Sequence, residues 1–599
     1  MKILMMGNEA IGRAAIEAGV SVVAAYPGTP SSEIPEYVAK HAVEHDVYIE
    51  YSTNEKVALE VAVGASWSGL RTLVTMKHVG VNVAADPLMA LTYTGVDGGF
   101  VLVSADDPSC HSSQNEQDNR YFALLANMPA LEPSSPQEAH AMTKAAFYIS
   151  EEAGLPVMLR PTTRACHCRA DVETGDIREK NDGPVFRDDI AHHVTIPAHA
   201  RVMHSELLDK VEKVRSLFEA SPFNWSEGHG MIGIIASGIS YAYVKEAVAQ
   251  TGIKASVFKL GTVHPLPTES IVSFISDKEQ VLVVEEMEPV VETQVKALAY
   301  ERGLSAKILG KNVVPRMGEL STSIVVDVLS GLLNVGKTYA DNPEMPFELP
   351  PRPPVLCPGC PHRATFYCIN KASKKAIKTS DIGCYTLGVV PPLSAVDTTM
   401  CMGASIGVAC GLSAAGNKEI VATIGDSTFF HTGLPALVNA VYNRHDITVV
   451  ILDNRTTAMT GHQPNPGTGK SAVGTQAPII DIAKVCEALG AYTQEVDPFA
   501  LEDTIEAMKR ANEHEGVSVI VAKRPCALIV DRSEWHLEDY KVDTEKCRGC
   551  KLCIRSLGCP ALLYDEENKK TSIDGMLCVN CGVCAQVCPF DSIVSETNV

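Results

Sequence analysis

The chain has 599 residues, 46% of them hydrophobic, and a formal charge of −21. That length leaves room for roughly three or four domains with cores of their own, and the acidic balance argues against nucleic acid or an anionic membrane as a partner. Nineteen cysteines, with no signal peptide and no stretch of transmembrane length, predict metal ligands and free thiols in the cytoplasm, not a disulfide framework. Residues 1–180 alternate short apolar runs (VSVVAAYPG, TLVTMKHVG, GFVLVSADD, GLPVMLRP) with helical patterns such as EKVALEVAVGAS. Such alternation predicts strands and crossover helices in a parallel sheet. A polar connecting segment, 181–228, interrupts it. A second α/β block, 229–340, has strands predicted at MIGIIASG, ASVFKLG and VLVVEEM, and its Gly-rich MIGIIASGIS turn could meet a phosphate. The Pro-rich stretch 341–356 predicts a stiff linker. A third α/β block, 357–535, resembles the first in its alternation, and a cysteine-rich α+β tail occupies 540–599.

The tail holds the strongest motif. Cys578, Cys581, Cys584 and Cys588-Pro589 follow C-x2-C-x2-C-x3-C-P, and Cys547, Cys550, Cys553 and Cys559-Pro560 differ only in five residues before the last cysteine. Thiolates at this spacing wrap [4Fe–4S] clusters, and in two-cluster ferredoxins the fourth cysteine of each run ligates the other cluster. One set is then Cys547, Cys550, Cys553 and Cys588, the other Cys578, Cys581, Cys584 and Cys559. A structural zinc site is the bland alternative, but zinc has no use for two triplets each followed by Cys-Pro.

The third block adds a second motif. EIVATIG-Asp426-Ser427 predicts a buried strand ending at Gly425, and ITVVILDN a second ending at Asn454. Both oxygen side chains fall at carboxyl ends of strands, where open α/β sheets bind ligands. They suit a hard cation such as Mg²⁺ clamped on a diphosphate, with the Thr456 carbonyl as a third ligand. The pattern resembles the thiamine diphosphate fingerprint GDG…N, with Ser427 in place of the last glycine. Asp and Asn at strand ends are also common turn formers. A thiamine site further needs a buried carboxylate on the aminopyrimidine ring. Glu55 sits where VYIEYS gives way to an apolar helix; burial there should raise its pKa, although a dipole-favoured first-turn glutamate is the bland reading.

YPGTPSSE (26–33), STNEKVALE (52–60), the GDS…DN pair and the tail together resemble the 2-oxoacid:ferredoxin oxidoreductases over nearly the whole chain. The resemblance implies a multidomain α/β fold: two thiamine-diphosphate-type parallel-sheet domains, a transketolase-C-like domain between them, and a C-terminal two-cluster ferredoxin domain. It implies Glu55 as activator of the cofactor, Thr29 of the Thr-Pro-Ser-Ser loop against the substrate carbonyl and carboxylate, and Arg120 as the arginine facing substrate. Arg120 as a solvated surface arginine is the bland reading. It also implies a third, proximal cluster on Cys357, Cys360, Cys384 and Cys526, with Pro361-His362 where relatives carry glycine. The remaining cysteines, Cys166-His167-Cys168 among them, are most simply core or surface thiols.

The implied reaction is oxidative decarboxylation of a 2-oxo acid with coenzyme A to an acyl-CoA, the electrons leaving singly through the clusters to an external ferredoxin. Within the family the nearest branch takes aryl pyruvates: indolepyruvate chiefly, with phenylpyruvate and 4-hydroxyphenylpyruvate. Lys77, His78 and Met459 could line the ring pocket or be structural. A small gamma-type domain found in relatives is missing, which implies a separate beta subunit and an alpha2beta2 heterotetramer. A different 2-oxo acid range, a non-oxidative thiamine decarboxylase, and an electron-carrying subunit with vestigial thiamine folds are the alternatives.

Overall fold

The structure is a computed structural model describing residues 1–178, 180, 185–186, 188–333, 347–350, 352–530 and 539–595. It divides into two compact units, Met1–Phe347 and Glu348–Val599. Their seam falls inside the expected Pro-rich linker, of which 341–346 and 351 lie outside the described residues, as do 531–535 of the third block and 596–599 of the tail.

The first unit is built on a seven-stranded sheet in the order Thr262–His264, Ala130–Leu131, Val157–Leu159, Phe100–Ala105, Thr72–Lys77, Val22–Ala25, Tyr48–Tyr51. All pairs are parallel except the first, where a strand of the second block lies antiparallel on Ala130–Leu131. Phe100–Ala105 is buried at every position, as an apolar run covered by helices on both faces must be. The opening strand Lys2–Met6 stands apart, paired antiparallel with Arg169–Glu173. The second block has its own five-stranded sheet, yet Phe258, Leu260, Val263 and Val283 pack in one core with Leu59, Val74 and Phe100.

The polar segment 181–228 is more ordered than its composition suggests: Pro197–Glu219 is a 23-residue helix. Its buried residues, Met203, Leu207, Val211, Val214 and Phe218, recur every three or four positions, a narrow apolar stripe hidden among charges. Residues 179, 181–184 and 187 of this segment lie outside the described residues.

The second unit holds a wholly parallel sheet in the order Ile377–Thr379, Ile420–Gly425, Ile447–Asp453, Val517–Lys523, Tyr492–Val496. Without its edge strands Thr262–His264 and Tyr48–Tyr51, the first unit's sheet has the same strand order. The added strand Tyr48–Tyr51 leads straight to Glu55. In the tail, two antiparallel strand pairs flank the short helices Leu552–Leu557 and Val583–Val587. Leu557, Val583 and Val587 share a core with Leu356, Phe366 and Leu501 of the third block, so the tail is packed onto that block. Among the described residues no helix is long and apolar enough to cross a membrane.

Candidate functional site

In the first unit, the chain leaves Tyr48–Tyr51 and turns into the helix Glu55–Trp67, capped by Asn54, whose side chain accepts from the Val57 N–H. Glu55 is 4% exposed. Its carboxyl lies on the backbone of Gly80: a Cβ there would come within 2.6 Å of Oε1. The Tyr26–Ser32 turn follows the neighbouring strand and is held by Ser31 Oγ donating to Gly28 O (2.8 Å) and Asn8 Nδ2 donating to Pro30 O (2.6 Å). Thr29 is half-buried in this turn. Lys77 links the two features, its stem against Gly28 and its ammonium within the influence of the Glu55 carboxyl.

Arg120 requires a correction. Its side chain is wholly buried, and it donates to Asp118 (2.9 and 2.5 Å), to Glu285 Oε2 (2.6 Å) and to the Glu286 carbonyl (2.8 Å). Arg160 completes the lattice on Asp106 and Glu132. With its side chain buried and bound to carboxylates, Arg120 is not a solvated surface arginine, and the bonds that would turn it to a substrate are already made to Asp118 and Glu285; it ties the first two blocks together. The polar run HSSQNEQDNR conceals this because Glu285 and Asp118 are 167 residues apart in sequence, a separation no local pattern reports.

In the second unit, Ile420–Gly425 delivers Asp426 and Ile447–Asp453 delivers Asn454. Asp426, Asn454 and Thr456 are each at most 5% exposed. A Cβ on Gly425 would meet the Tyr385 ring at 2.6 Å, so the strand end needs glycine for space. Arg455 has φ +61°, a left-handed conformation that a non-glycine residue adopts only under constraint. It turns the Asn454 side chain and the Thr456 carbonyl to the same side. The position of the Asn454 amide oxygen lies 2.8 Å from Thr456 O and 3.3 Å from Asp426 Oδ1. Turned over, the amide would donate to both. Unturned, its oxygen joins two others as a hard donor set that fits Mg²⁺, while Nδ2 donates to His362 Nε2 at 3.4 Å. Burial holds His362 down to about 4, a neutral ring able to accept that bond. Burial and the neighbouring Asp453 push Asp426 up to about 7, a carboxyl short of positive charge. Ser427 N donates to Asp426 Oδ1 and Ser427 Oγ accepts from Thr457, so this serine shapes the turn.

The cysteines fall into groups. Burial pushes the Cys360 thiol up to about 12 and Cys384 up to about 11; Cys384 and Cys526 add to the first rise, Cys526 and Cys357 to the second. Burial, Cys357 and Asp426 likewise raise Cys526, so this quartet lies beside Asp426. Cys526 N donates to the Asn454 carbonyl at 2.9 Å. In the tail, burial and then Cys559 and Cys578 raise Cys581, and burial and then Cys581, Cys559 and Cys578 raise Cys584. Cys553 is raised by burial, then by Cys588 and Cys550. Burial opposes ionisation of Cys588, but hydrogen bonds from Ser592 win and lower it. Cys547 is buried and Cys550 exposed. The thiols within each group are near enough to repel as anions, and buried thiols that crowd this way suit metal, which deprotonates a coordinating thiol outright.

One apolar cavity is lined by both Cys360 and Cys559, Cys578, Cys581 and Cys584. Arg363 closes it, donating to Leu557 O (2.5 Å), Gly558 O (2.8 Å) and Leu356 O. Sequence reasoning gave Arg363 no role; its only signal was its place three residues after Cys360. Lys77, by contrast, stood as a pocket candidate, and Met459 is 46% exposed in the second unit. Cys166 is fully buried and Cys168 half-buried, and neither carries a chemical assignment.

Four family profiles match in chain order. They are the thiamine-diphosphate-binding domain of pyruvate flavodoxin/ferredoxin oxidoreductases (13–188), the indolepyruvate oxidoreductase domain (223–334), the C-terminal TPP-binding domain of thiamine pyrophosphate enzymes (381–522) and a 4Fe-4S dicluster domain (531–592). Indolepyruvate oxidoreductase subunit IorA of Pyrococcus abyssi is 50% identical over 99% of this chain and 96% of its own length. The IorA subunit of Thermococcus kodakarensis is 51% identical with the same coverage. A more distant relative, 2-oxoglutarate synthase subunit KorA of Archaeoglobus fulgidus, is 25% identical over 47% of this chain and 87% of its own. With half its residues shared along its whole length, and with thiamine-type and dicluster domains in the same order, the chain belongs to the indolepyruvate oxidoreductase IorA family, thiamine-diphosphate-dependent 2-oxoacid:ferredoxin oxidoreductases.

Proposed function

We propose that the protein oxidises aryl pyruvates, indolepyruvate first, with phenylpyruvate and 4-hydroxyphenylpyruvate also accepted. The balance is one 2-oxo acid, one coenzyme A and two oxidised ferredoxins to one aryl-acetyl-CoA, one CO₂, one proton and two reduced ferredoxins. The observation that carries this reading is the meeting, within one unit, of the Asp426–Asn454–Thr456 oxygens with the thiols of Cys384 and Cys526. A decarboxylase has no need of metal-binding sulfur beside its diphosphate anchor.

Thiamine diphosphate, when bound, supplies a nucleophilic carbon and an electron sink for the C–C cleavage. Asp426 Oδ1, Asn454 Oδ1 and Thr456 O would hold Mg²⁺ on its diphosphate, and the Gly425 and Ser427 backbone would border the same turn. Glu55, buried at the start of its helix, would hold the proton exchanged with the aminopyrimidine ring. Thr29 offers a hydroxyl to the substrate oxygens. Three [4Fe–4S] clusters would follow: a proximal one on Cys357, Cys360, Cys384 and Cys526, one on Cys559, Cys578, Cys581 and Cys584, and one on Cys547, Cys550, Cys553 and Cys588.

A smaller beta subunit brings a gamma-type domain in a cytoplasmic alpha2beta2 assembly, and an external ferredoxin takes the electrons. The test is purification without air together with the partner subunit, then viologen reduction with indolepyruvate and coenzyme A. Glu55→Gln should lose turnover and keep its iron. Aldehyde release without an electron acceptor would replace this reading with a non-oxidative decarboxylase.

A further inference from the structure

We propose that Lys77 receives the carboxylate of the 2-oxo acid, an assignment that rests on the proposed function. Its place in the sheet is the first reason. Strand Val22–Ala25 lies between Tyr48–Tyr51 on one side and Thr72–Lys77 on the other, so the strand order reverses between Val22–Ala25 and Thr72–Lys77. Open α/β sheets bind ligands outside the carboxyl ends of the strands at such a reversal. One strand leaves that point through Gly28 and Thr29, the other at Lys77 itself. The two touch: a Cβ on Gly28 would lie 2.9 Å from Lys77 Cδ, so the lysine stem occupies the space a side chain would take.

The second reason is an ammonium with donors to spare. Lys77 Nζ donates to the Ser112 carbonyl at 2.7 Å, its one hydrogen bond among the described residues, and it forms no ion pair there. An ammonium has three N–H donors. The charged and titratable groups that act on it are Asp107 and Cys110, on the loop after Phe100–Ala105, and Glu55. Asp107 is already engaged, accepting from Ser112 N, Ser113 Oγ and Thr163 Oγ1 at 2.7–2.8 Å. A half-buried ammonium whose nearby carboxylates act on it without touching it keeps N–H donors that a ligand carboxylate can take up.

The third reason is elimination. The buried arginines of this block are bound to carboxylates: Arg71 to Glu151, Arg120 to Asp118 and Glu285, Arg160 to Asp106 and Glu132. Lys77 remains, beside the Glu55 carboxyl and the Thr29 turn. Burial holds its ammonium down to about 8, against the pull of Asp107 and Glu55, so it is charged at neutral pH and gives up that charge just above it.

The test uses the assembled, cofactor-loaded enzyme and two neutral variants: Lys77→Met, which matches the stem, and Lys77→Gln, which keeps a donor for Ser112 O. Binding of indole-3-propionate and of its amide is measured by titration calorimetry. The parent should prefer the carboxylate by roughly 10- to 100-fold, the range of one hydrogen bond to a charged group. Both variants should lose that preference while thiamine diphosphate affinity and the KM for coenzyme A stay within about 3-fold. In the parent, kcat/KM for indolepyruvate should fall as pH rises through about 8, and that limb should vanish in the variants. An unchanged carboxylate preference in either folded variant overturns the assignment, as does a change confined to coenzyme A. If the parent itself fails to bind thiamine diphosphate, the proposed function has failed instead.

Discussion

Gly80→Ala should cripple catalysis while leaving the protein as stable as before, a combination that helix propensity alone would not suggest. Gly80 lies in the helix His78–Val83, and alanine there should gain about 1 kcal/mol of helix stability. The new Cβ, however, would meet Glu55 Oε1 at 2.6 Å, Cγ at 2.7 Å and Cδ at 3.0 Å. Comfortable contacts between carbon atoms lie at about 3.5–4.0 Å, so the carboxyl must retreat by about 1 Å. An off-rotamer glutamate costs about 1 kcal/mol, which nearly cancels the helix gain, and Tm should move by less than about 3 °C. Turnover is far less forgiving. A 1 Å misplacement at a reacting group costs on the order of 10²-fold. Viologen reduction in air-free assay should therefore fall roughly 100-fold at unchanged iron content and thiamine diphosphate occupancy. A variant within about 3-fold of the parent, with the same Tm, would show that the Glu55 carboxyl need not sit where Gly80 lets it.

Three further outcomes are expected. Arg120→Met should strand Glu285 as a buried carboxylate without an ion pair and leave Asp118 only Arg160 at 3.6 Å, at about 3–5 kcal/mol; thermal denaturation should show the loss, and a raised KM at unchanged Tm would reinstate Arg120 as a substrate ligand. His362→Ala should free the Asn454 amide and weaken Mg²⁺ binding roughly 10-fold, as loss of an outer-shell partner does; Mg²⁺ titration of cofactor binding reads this, and an unchanged affinity removes His362 from the site. Cys550 is exposed, and Arg548 beside it is exposed with no ion pair among the described residues. Arg548→Glu combined with Lys551→Glu should slow ferredoxin reduction roughly 10-fold at low salt and leave viologen reduction alone. Equal rates with ferredoxin would place the electron exit elsewhere.

What could be read in the sequence was whatever chemistry had pressed into local spacing. The tail triplets and the strand ends at Asp426 and Asn454 were of this kind, because the residues that come together there are a few neighbours in sequence or two strand ends that one sheet aligns. The nearness of the Thr456 carbonyl to the Asn454 side chain follows in the same way from two residues' separation. The helix Pro197–Glu219 was hidden because its apolar stripe is only five residues wide amid histidines and acids. Arg120 misled for a different reason. Its partners Glu285 and Glu132 come from distant strands, and nothing near it in sequence distinguishes an arginine facing substrate from one buried in an ion lattice. Burial of Glu55 was foreseeable from the apolar helix that follows it; the role of Gly80 in making room for it was not.

The sulfur groups also depend on one another through contacts that spacing does not reveal. Gly359, between Pro358 and Cys360, has φ +67°, and a Cβ there would lie 2.0 Å from Val579 Cγ2. The turn that carries Cys357 and Cys360 is thus pressed flush on the loop that carries Cys578 and Cys581, and only glycine permits both the left-handed backbone and the closeness. Arg363 fastens the same junction through carbonyls on both sides of it, Leu356 and Leu557. Burial pulls Arg363 down, and the thiolates of Cys559, Cys360, Cys357 and Cys581 push it back, so one guanidinium faces two sulfur groups at once. Were clusters bound at both groups, a cation so placed would favour the added electron on either side, whereas a neutral residue would leave two like charges to repel across an apolar gap. The inner loop, Cys578–Cys588, carries no charged residue, and Glu545–Leu557 around the exposed Cys550 carries four bases and one acid. Along the proposed relay electrostatics would therefore change sense: apolar and fastened by a single cation beside the Cys357–Cys360 turn, basic and open to solvent around Cys550.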